Sequence, residues 1–222
     1  MLKVKLEEIA GLKTAVKAMR NPKNSWDRSD SYETYIEDAE TQETAPFQFF
    51  LGENDLKLMQ NLTGAGVEHR TFARMVQVWV TIDAPLYWWK EMDRYTVGKN
   101  QIGCSTMHKI HAKEFELDDF SHEMLYHYTL ETLECDVISA LNFWRNKYLE
   151  TKDKQCWWQM IQLLPSSYNQ KRTVNMSYEV CMKIWKERHN HKLDEWHILC
   201  DFILNLPYMK DIMRMNCEDS AE

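Results

Sequence analysis

The stretch Met75-Val76-Gln77-Val78-Trp79-Val80-Thr81-Ile82-Asp83-Ala84-Pro85 alternates residue character with a period of two. In an extended chain successive side chains point to opposite faces, so Val76, Val78, Val80 and Ile82 share one face while Gln77, Trp79 and Thr81 share the other. The spacing predicts a strand over 75–83 with its aliphatic face in a core. Ala84-Pro85 ends it, because proline brings no N–H to a ladder and restricts the residue before it. The aromatic-rich run Leu86 to Tyr95 then reads as helical.

Upstream, Leu2, Val4 and Leu6 alternate with Lys3 and Lys5, the pattern of a half-exposed strand. A helix over Leu12 to Arg20 stops at Asn21-Pro22, and an acidic, polar segment at about 27–44 reads as a solvated loop. Asn54 or Asp55 is the expected cap of a helix carrying Leu56, Met59 and Leu62, which Gly64 to Gly66 ends. Downstream, Asp118 or Asp119 is expected to open a helical region with Leu130, Leu133, Val137, Leu141, Trp144 and Tyr148 along one stripe. Three more helices follow: one ends at Leu164-Pro165, one carries Cys181, Ile184, Trp185 and Arg188, and the last runs from Leu193 to Leu206. Strands mixed with helices make this an α/β protein.

No composition shift marks a boundary within the 222 residues, and 44% hydrophobic against 27% charged residues suffices for one packed domain over 1–222. A net charge of -7 argues against a protein that tracks a nucleic-acid polymer, since that binding needs clustered cations. Met1 to Ile9 lacks the continuous apolar core of a signal peptide, and no apolar run is long enough for a bilayer span, so a cytoplasmic protein is expected. The six cysteines include no CxxC pair and read as reduced thiols. Neither a P-loop nor a GxGxxG motif is present, so a nucleotide would be held outside a Rossmann frame.

Chemistry-bearing side chains gather between Glu68 and His111: His69, Arg94, Tyr95, Cys104, Ser105, His108 and His111. Cys104, His108 and His111 have zinc-ligand chemistry but lack a fourth donor, so no metal is expected; His189, His191, His197 and Cys200 read as packed or solvated helix residues. Ser105 has no oriented histidine or glycine-rich elbow and is equally a capping serine. Arg94 is either a ligand-binding arginine or the partner of Glu91 or Asp93 in a surface ion pair. Trp88 and Trp89 either line a pocket or fill the core.

The order of these features resembles the flavin-dependent thymidylate synthases. Ala15-Val16-Lys17-Ala18-Met19-Arg20 is similar to the A-V-R-A-A-R segment that precedes an acidic loop in that family. His69, the strand to Ala84-Pro85, and Asp93-Arg94-Tyr95-Thr96 follow the family's histidine, strand and Arg-His-Arg signature, and the interval from His69 to Arg94 matches without a gap. Ser105-Thr106-Met107-His108 resembles its Ser-x-Arg-Tyr element with one inserted residue. Leu163-Leu164-Pro165 and Val174-Asn175-Met176-Ser177 resemble its Leu-Pro turn and Asn-x-Arg element. Arg188 with Asp194-Glu195-Trp196 resembles the arginine and Gln-Trp-Glu run of its last helices, two residues displaced.

The resemblance implies a mixed, largely antiparallel central sheet with long helices, and a homotetramer. It implies FAD as cofactor, with NADPH and methylenetetrahydrofolate as co-substrates in the reductive methylation of a pyrimidine deoxynucleotide such as dUMP. Carried over by position, His69, Arg94, Tyr95 and Asn175 would bind the cofactor; Glu91, Ser105 and Arg188 would bind substrate; and Arg94, Ser105 and Arg188 would carry catalysis. Five positions depart from the pattern: Thr96, Met107 and Ser177 stand where arginines are expected, Tyr95 where a histidine is and Glu91 where a glutamine is. A thioether in place of a charged phosphate contact removes about 1.5–3 kcal/mol. The alternative is therefore a catalytically inactive relative that binds flavin or nucleotide as an oligomeric binding or scaffold protein.

Overall fold

The computed structural model describes residues 1–35 and 48–215. Positions 36–44 of the acidic segment and Cys217 lie outside the described residues. Strand β1 (Lys3–Ala10) passes through Gly11 into helix α1 (Leu12–Ala18). Gly11 has φ 90°, and a Cβ there would stand 2.3 Å from the Met75 carbonyl oxygen, so only glycine serves. After 3-10 turns at Asn21–Lys23 and Trp26–Arg28, β2 (Tyr32–Thr34) pairs antiparallel with β3 (Gln48–Phe50), and the Tyr32 and Phe50 rings stack 5.3 Å apart. Next come α2 (Glu53–Gly64), α3 (Thr71–Met75), β4 (Gln77–Pro85), α4 (Leu86–Met92) and β5 (Lys99–Gly103). Helix α5 (His127–Glu131) continues through a π-helical stretch, Thr132–Ile138, into α6 (Ser139–Thr151). The chain finishes with α7 (Lys154–Leu163), β6 (Asn169–Ser177), α8 (Tyr178–Arg188), α9 (Asp194–Leu204) and α10 (Met209–Met213).

The larger sheet has the order β1-β4-β6-β5, which makes the architecture mixed α/β with antiparallel sheets, as expected. On interior strand β4, Val78, Val80, Ile82 and Ala84 are fully buried and the alternate residues half-buried, which is the predicted alternation. Strand β6 was not predicted. Its Gln170-Lys171-Arg172-Thr173 run is polar on both faces, and burial is confined to Val174, Met176 and Ser177 near its end.

Residues cluster into two compact units that alternate along the chain. The first comprises Met1–Glu7, Trp79–Asn175 and Lys192–Leu199. Its core joins Ile110, Phe115, Phe120, Leu133, Ile138, Leu141 and Met160, and α6 packs on α7. Trp88 lies against Trp196 with ring centroids 4.8 Å apart, so of the two readings for the adjacent tryptophans Trp88 takes the core one. The expected helix start at Asp118 or Asp119 is corrected. The Asp119 carboxylate accepts the Glu116 N–H and closes a 3-10 turn, Phe120 is extended, and the helix opens at His127.

The second unit comprises Glu8–Val78, Met176–His191 and Cys200–Glu222. Helix α3 packs on α1 and α8, and α2 packs on α10. The expected cap of α2 is also corrected. Gly52 occupies the cap position, and the Asp30 carboxylate, from a distant loop, accepts the N–H groups of Asn54 (2.9 Å) and Asp55 (3.1 Å). Asp55 instead turns inward onto Arg20, and both are buried. No helix among the described residues is long and apolar enough to cross a membrane.

Candidate functional site

In the second unit a cavity of ≈ 480 Å³ opens beside His69. Its apolar wall comes from Leu58 and Leu62 of α2, Phe72 and Met75 of α3, and Met19, while Asn21, Lys23, Ser25, Glu68, His69 and Thr71 give it a polar lip with one cation and one carboxylate. The local sequence explains this arrangement. Gly66 at φ 122° turns the chain out of α2, and the Thr71 hydroxyl donates to the Glu68 carbonyl (3.1 Å), so His69 is presented at the entry to α3. His69 is exposed, and its ring forms no hydrogen bond among the described residues. A wall of this kind, apolar with a few polar groups at one edge, is how proteins take up flat ligands.

The facing turn is held by the buried pair of Arg20 and Asp55. The other Asp55 oxygen accepts from the Ser29 hydroxyl (2.7 Å) and the Ser31 hydroxyl (2.6 Å). Burial by itself would lift this carboxyl, but hydrogen bonds from Ser31, Ser29 and Arg20 outweigh it and hold the group below its ordinary pKa.

The first unit carries a charge cluster that sequence reasoning missed. The Arg172 guanidinium lies 4.2 Å from the Trp89 ring centroid and donates to Asp93 (2.8 Å) and to the Gln170 side chain (2.8 Å). The Lys99 side chain, only 4% exposed, donates to the Met92 carbonyl (3.0 Å) and stands 3.9 Å from Asp93. Burial lowers its pKa; Asp93 opposes that shift and Arg172 adds to it. Two cations thus share one carboxylate. A Cβ at Gly103 would lie 2.8 Å from Arg172 Cγ, so the glycine is what lets the arginine lie down. No local motif announces a contact between residues 79 apart in sequence.

Among the described residues Arg94 does not form the surface ion pair that was one of its two readings. Asp93 is engaged by Arg172 and by Gln101 (2.6 Å), and the exposed Arg94 guanidinium makes no ion pair or hydrogen bond among the described residues. Beside it, Tyr95 is buried with its ring edge-on to Trp196 at 6.1 Å, and Glu91 is half-buried on α4. The exposed Ser105 hydroxyl oxygen accepts the N–H groups of Met107 (3.2 Å) and His108 (2.9 Å), the capping geometry. Asn175 is half-buried on β6, and Ser177, also buried, caps α8 by accepting the Val180 N–H (3.4 Å). Arg94, Tyr95, Glu91, Ser105 and Asn175 fall in the first unit; His69 and Arg188, half-buried at the end of α8, fall in the second. Among the described residues no three His, Cys, Asp or Glu side chains form a metal-holding group.

No family model matches the chain, and no curated protein matches it in sequence. Solved structures do match. Two crystal structures of thymidylate synthase X (ThyX) from Helicobacter pylori, both with FAD and dUMP, align with TM-scores of 0.65 and 0.66 at 17% identity. The alignments cover 96% and 97% of this chain and 97% and 99% of those chains. The fold is that of the flavin-dependent thymidylate synthases. The chain shares this fold along nearly its whole length although only 17% of aligned residues are identical.

Proposed function

We propose that the chain is a cytoplasmic flavin-dependent thymidylate synthase-like protein, one domain of that fold, which binds FAD and a pyrimidine deoxynucleotide such as dUMP. The observation that carries this reading is the cavity beside His69, on a fold whose solved examples hold FAD and dUMP. The cavity suits part of a flavin nucleotide in kind. Phe72, Met75, Leu58 and Leu62 offer an apolar bed for a ring, His69, Thr71 and Ser25 offer hydrogen bonds to its polar edge, and Lys23 offers a charge to a phosphate.

In this reading His69 and Thr71 orient the cofactor, and Asn175 and Tyr95 contribute from β6 and the end of α4. Arg94 binds a phosphate, for which an uncommitted planar guanidinium is suited. Glu91, Ser105 and Arg188 contact the pyrimidine nucleotide. When bound, FAD would supply redox chemistry, passing a hydride from NADPH to a reductive methylation whose carbon would come from methylenetetrahydrofolate. The chain's own contribution is orientation and charge placement. A homotetramer belongs to the same proposal.

A second reading, a relative that binds without turnover, is favoured by Ser177 and Met107. One is buried as a helix cap and the other is an exposed thioether, so neither supplies the charge that the resembled family places there. Incubation with FAD, dUMP, methylenetetrahydrofolate and NADPH, followed by chromatography for dTMP, separates the readings. FAD-dependent dTMP supports the first, FAD binding without dTMP supports the second, and neither product nor binding removes both.

A further inference from the structure

The first unit holds a second cavity, of ≈ 300 Å³, lined by His108, His111, Tyr148, Lys152, Lys154 and Trp157. We propose that it binds a small phosphorylated aromatic compound of mononucleotide size, with the phosphate against Lys152 and Lys154 and the ring against Trp157 and Tyr148. The proposal is independent of the flavin reading.

The charge pattern is the first support. The chain carries a net charge of -7, yet this wall has two ammonium groups, two imidazoles and no carboxylate. Acids adjacent in sequence are already engaged: Glu150 pairs with Lys147 (3.2 Å), and Asp153 accepts the Gln155 N–H (2.9 Å) at the start of α7. Neither Lys152 nor Lys154 has a carboxylate partner among the described residues. Cations left unneutralised on a concave wall favour an anion there.

The backbone is the second. Lys152 ends α6 in the left-handed region, φ 58° and ψ 14°, a position that glycine fills most readily. A long cationic side chain stands where the backbone favours none, and its ammonium lies 5.6 Å from the Tyr148 ring centroid. His111 meets the same ring edge-on at 4.9 Å, and its Nδ1 is buried without a hydrogen-bond partner among the described residues. An unsatisfied buried nitrogen in a native site calls for a partner that the chain itself does not provide.

Ring recognition is the third. The Trp157 indole is fixed by its Nε1–H donating to the Met107 carbonyl (3.1 Å) and by edge contact with Trp158 (4.8 Å), so its plane is set before any ligand arrives. The volume is at the small end for ligand clefts, which suits one base and one phosphate better than a dinucleotide.

Calorimetric titration of the full chain with AMP, and separately with inorganic phosphate, tests this. Saturable 1:1 binding of AMP is expected, with phosphate alone binding more weakly. Lys152→Gly, which relaxes the backbone and should not lower the unfolding temperature, combined with Lys154→Gln should weaken AMP at least tenfold. Trp157→Leu should weaken AMP more than it weakens phosphate. His69→Ala and Arg94→Ala should leave AMP binding unchanged. Absence of AMP binding, or binding that survives the double lysine substitution, overturns the proposal; so does binding lost on His69→Ala or Arg94→Ala.

Discussion

Arg20 Nε and Asp55 Oδ1 lie 2.5 Å apart, with 4% and 0% of their side chains exposed, and this pair fastens the turn after α1 to the first turn of α2. A carboxylate is tolerated there because Ser29 and Ser31 donate to its second oxygen. Removing one member strands a buried charge, which costs about 3–5 kcal/mol. Asp55→Ala is therefore expected to lower the urea midpoint severely. Ser29→Ala, which leaves the pair in place, should cost about 1 kcal/mol.

The same carboxylate sets an acid limit. Its folded-state pKa lies below the unfolded value of about 3.9, so its contribution is complete above that pH and is lost as pH falls through the folded value. Stability measured by denaturant melts should decline below about pH 4. In Asp55→Asn the decline should be shallower, because the group that binds the proton on unfolding is gone.

Gly103 and Arg172 should be energetically coupled. Gly103→Ala places a methyl against the Arg172 stem and forces it off Trp89, for an expected loss of about 1–3 kcal/mol. In an Arg172→Ala background the same change should cost less, and a double-mutant cycle by thermal unfolding reads the difference.

The thiols should sort by burial. Cys104 and Cys135 are exposed, whereas burial pushes Cys181 and Cys200 up to about 12. Native protein treated with a thiol reagent at neutral pH and mapped by peptide mass should be labelled at Cys104 and Cys135. Cys156, Cys181 and Cys200 should react only after unfolding.

What the sequence disclosed follows from how local each signal is. Strand β4 was readable because its period of two, its aliphatic face and its terminal proline agree. The α6 stripe was readable for the same reason, but its start was not, since Asp118 and Asp119 serve a 3-10 turn as readily as a helix cap. Strand β6 escaped because its polar half is held by neighbours, as in the 3.2 Å contact of the Thr173 and Thr81 hydroxyls, and not by a buried face. His69 and Arg94 became candidates through motif order. Arg172, Lys99 and Asp55 were not, because their partners become neighbours only on folding.

Titration of the purified chain with FAD, followed by quenching of flavin fluorescence, addresses the central claim most directly. Saturable binding at one FAD per chain, weakened at least tenfold by His69→Ala in a variant that melts like the parent, is the predicted result. A parent chain that leaves FAD fluorescence unchanged at any concentration, although folded, contradicts it.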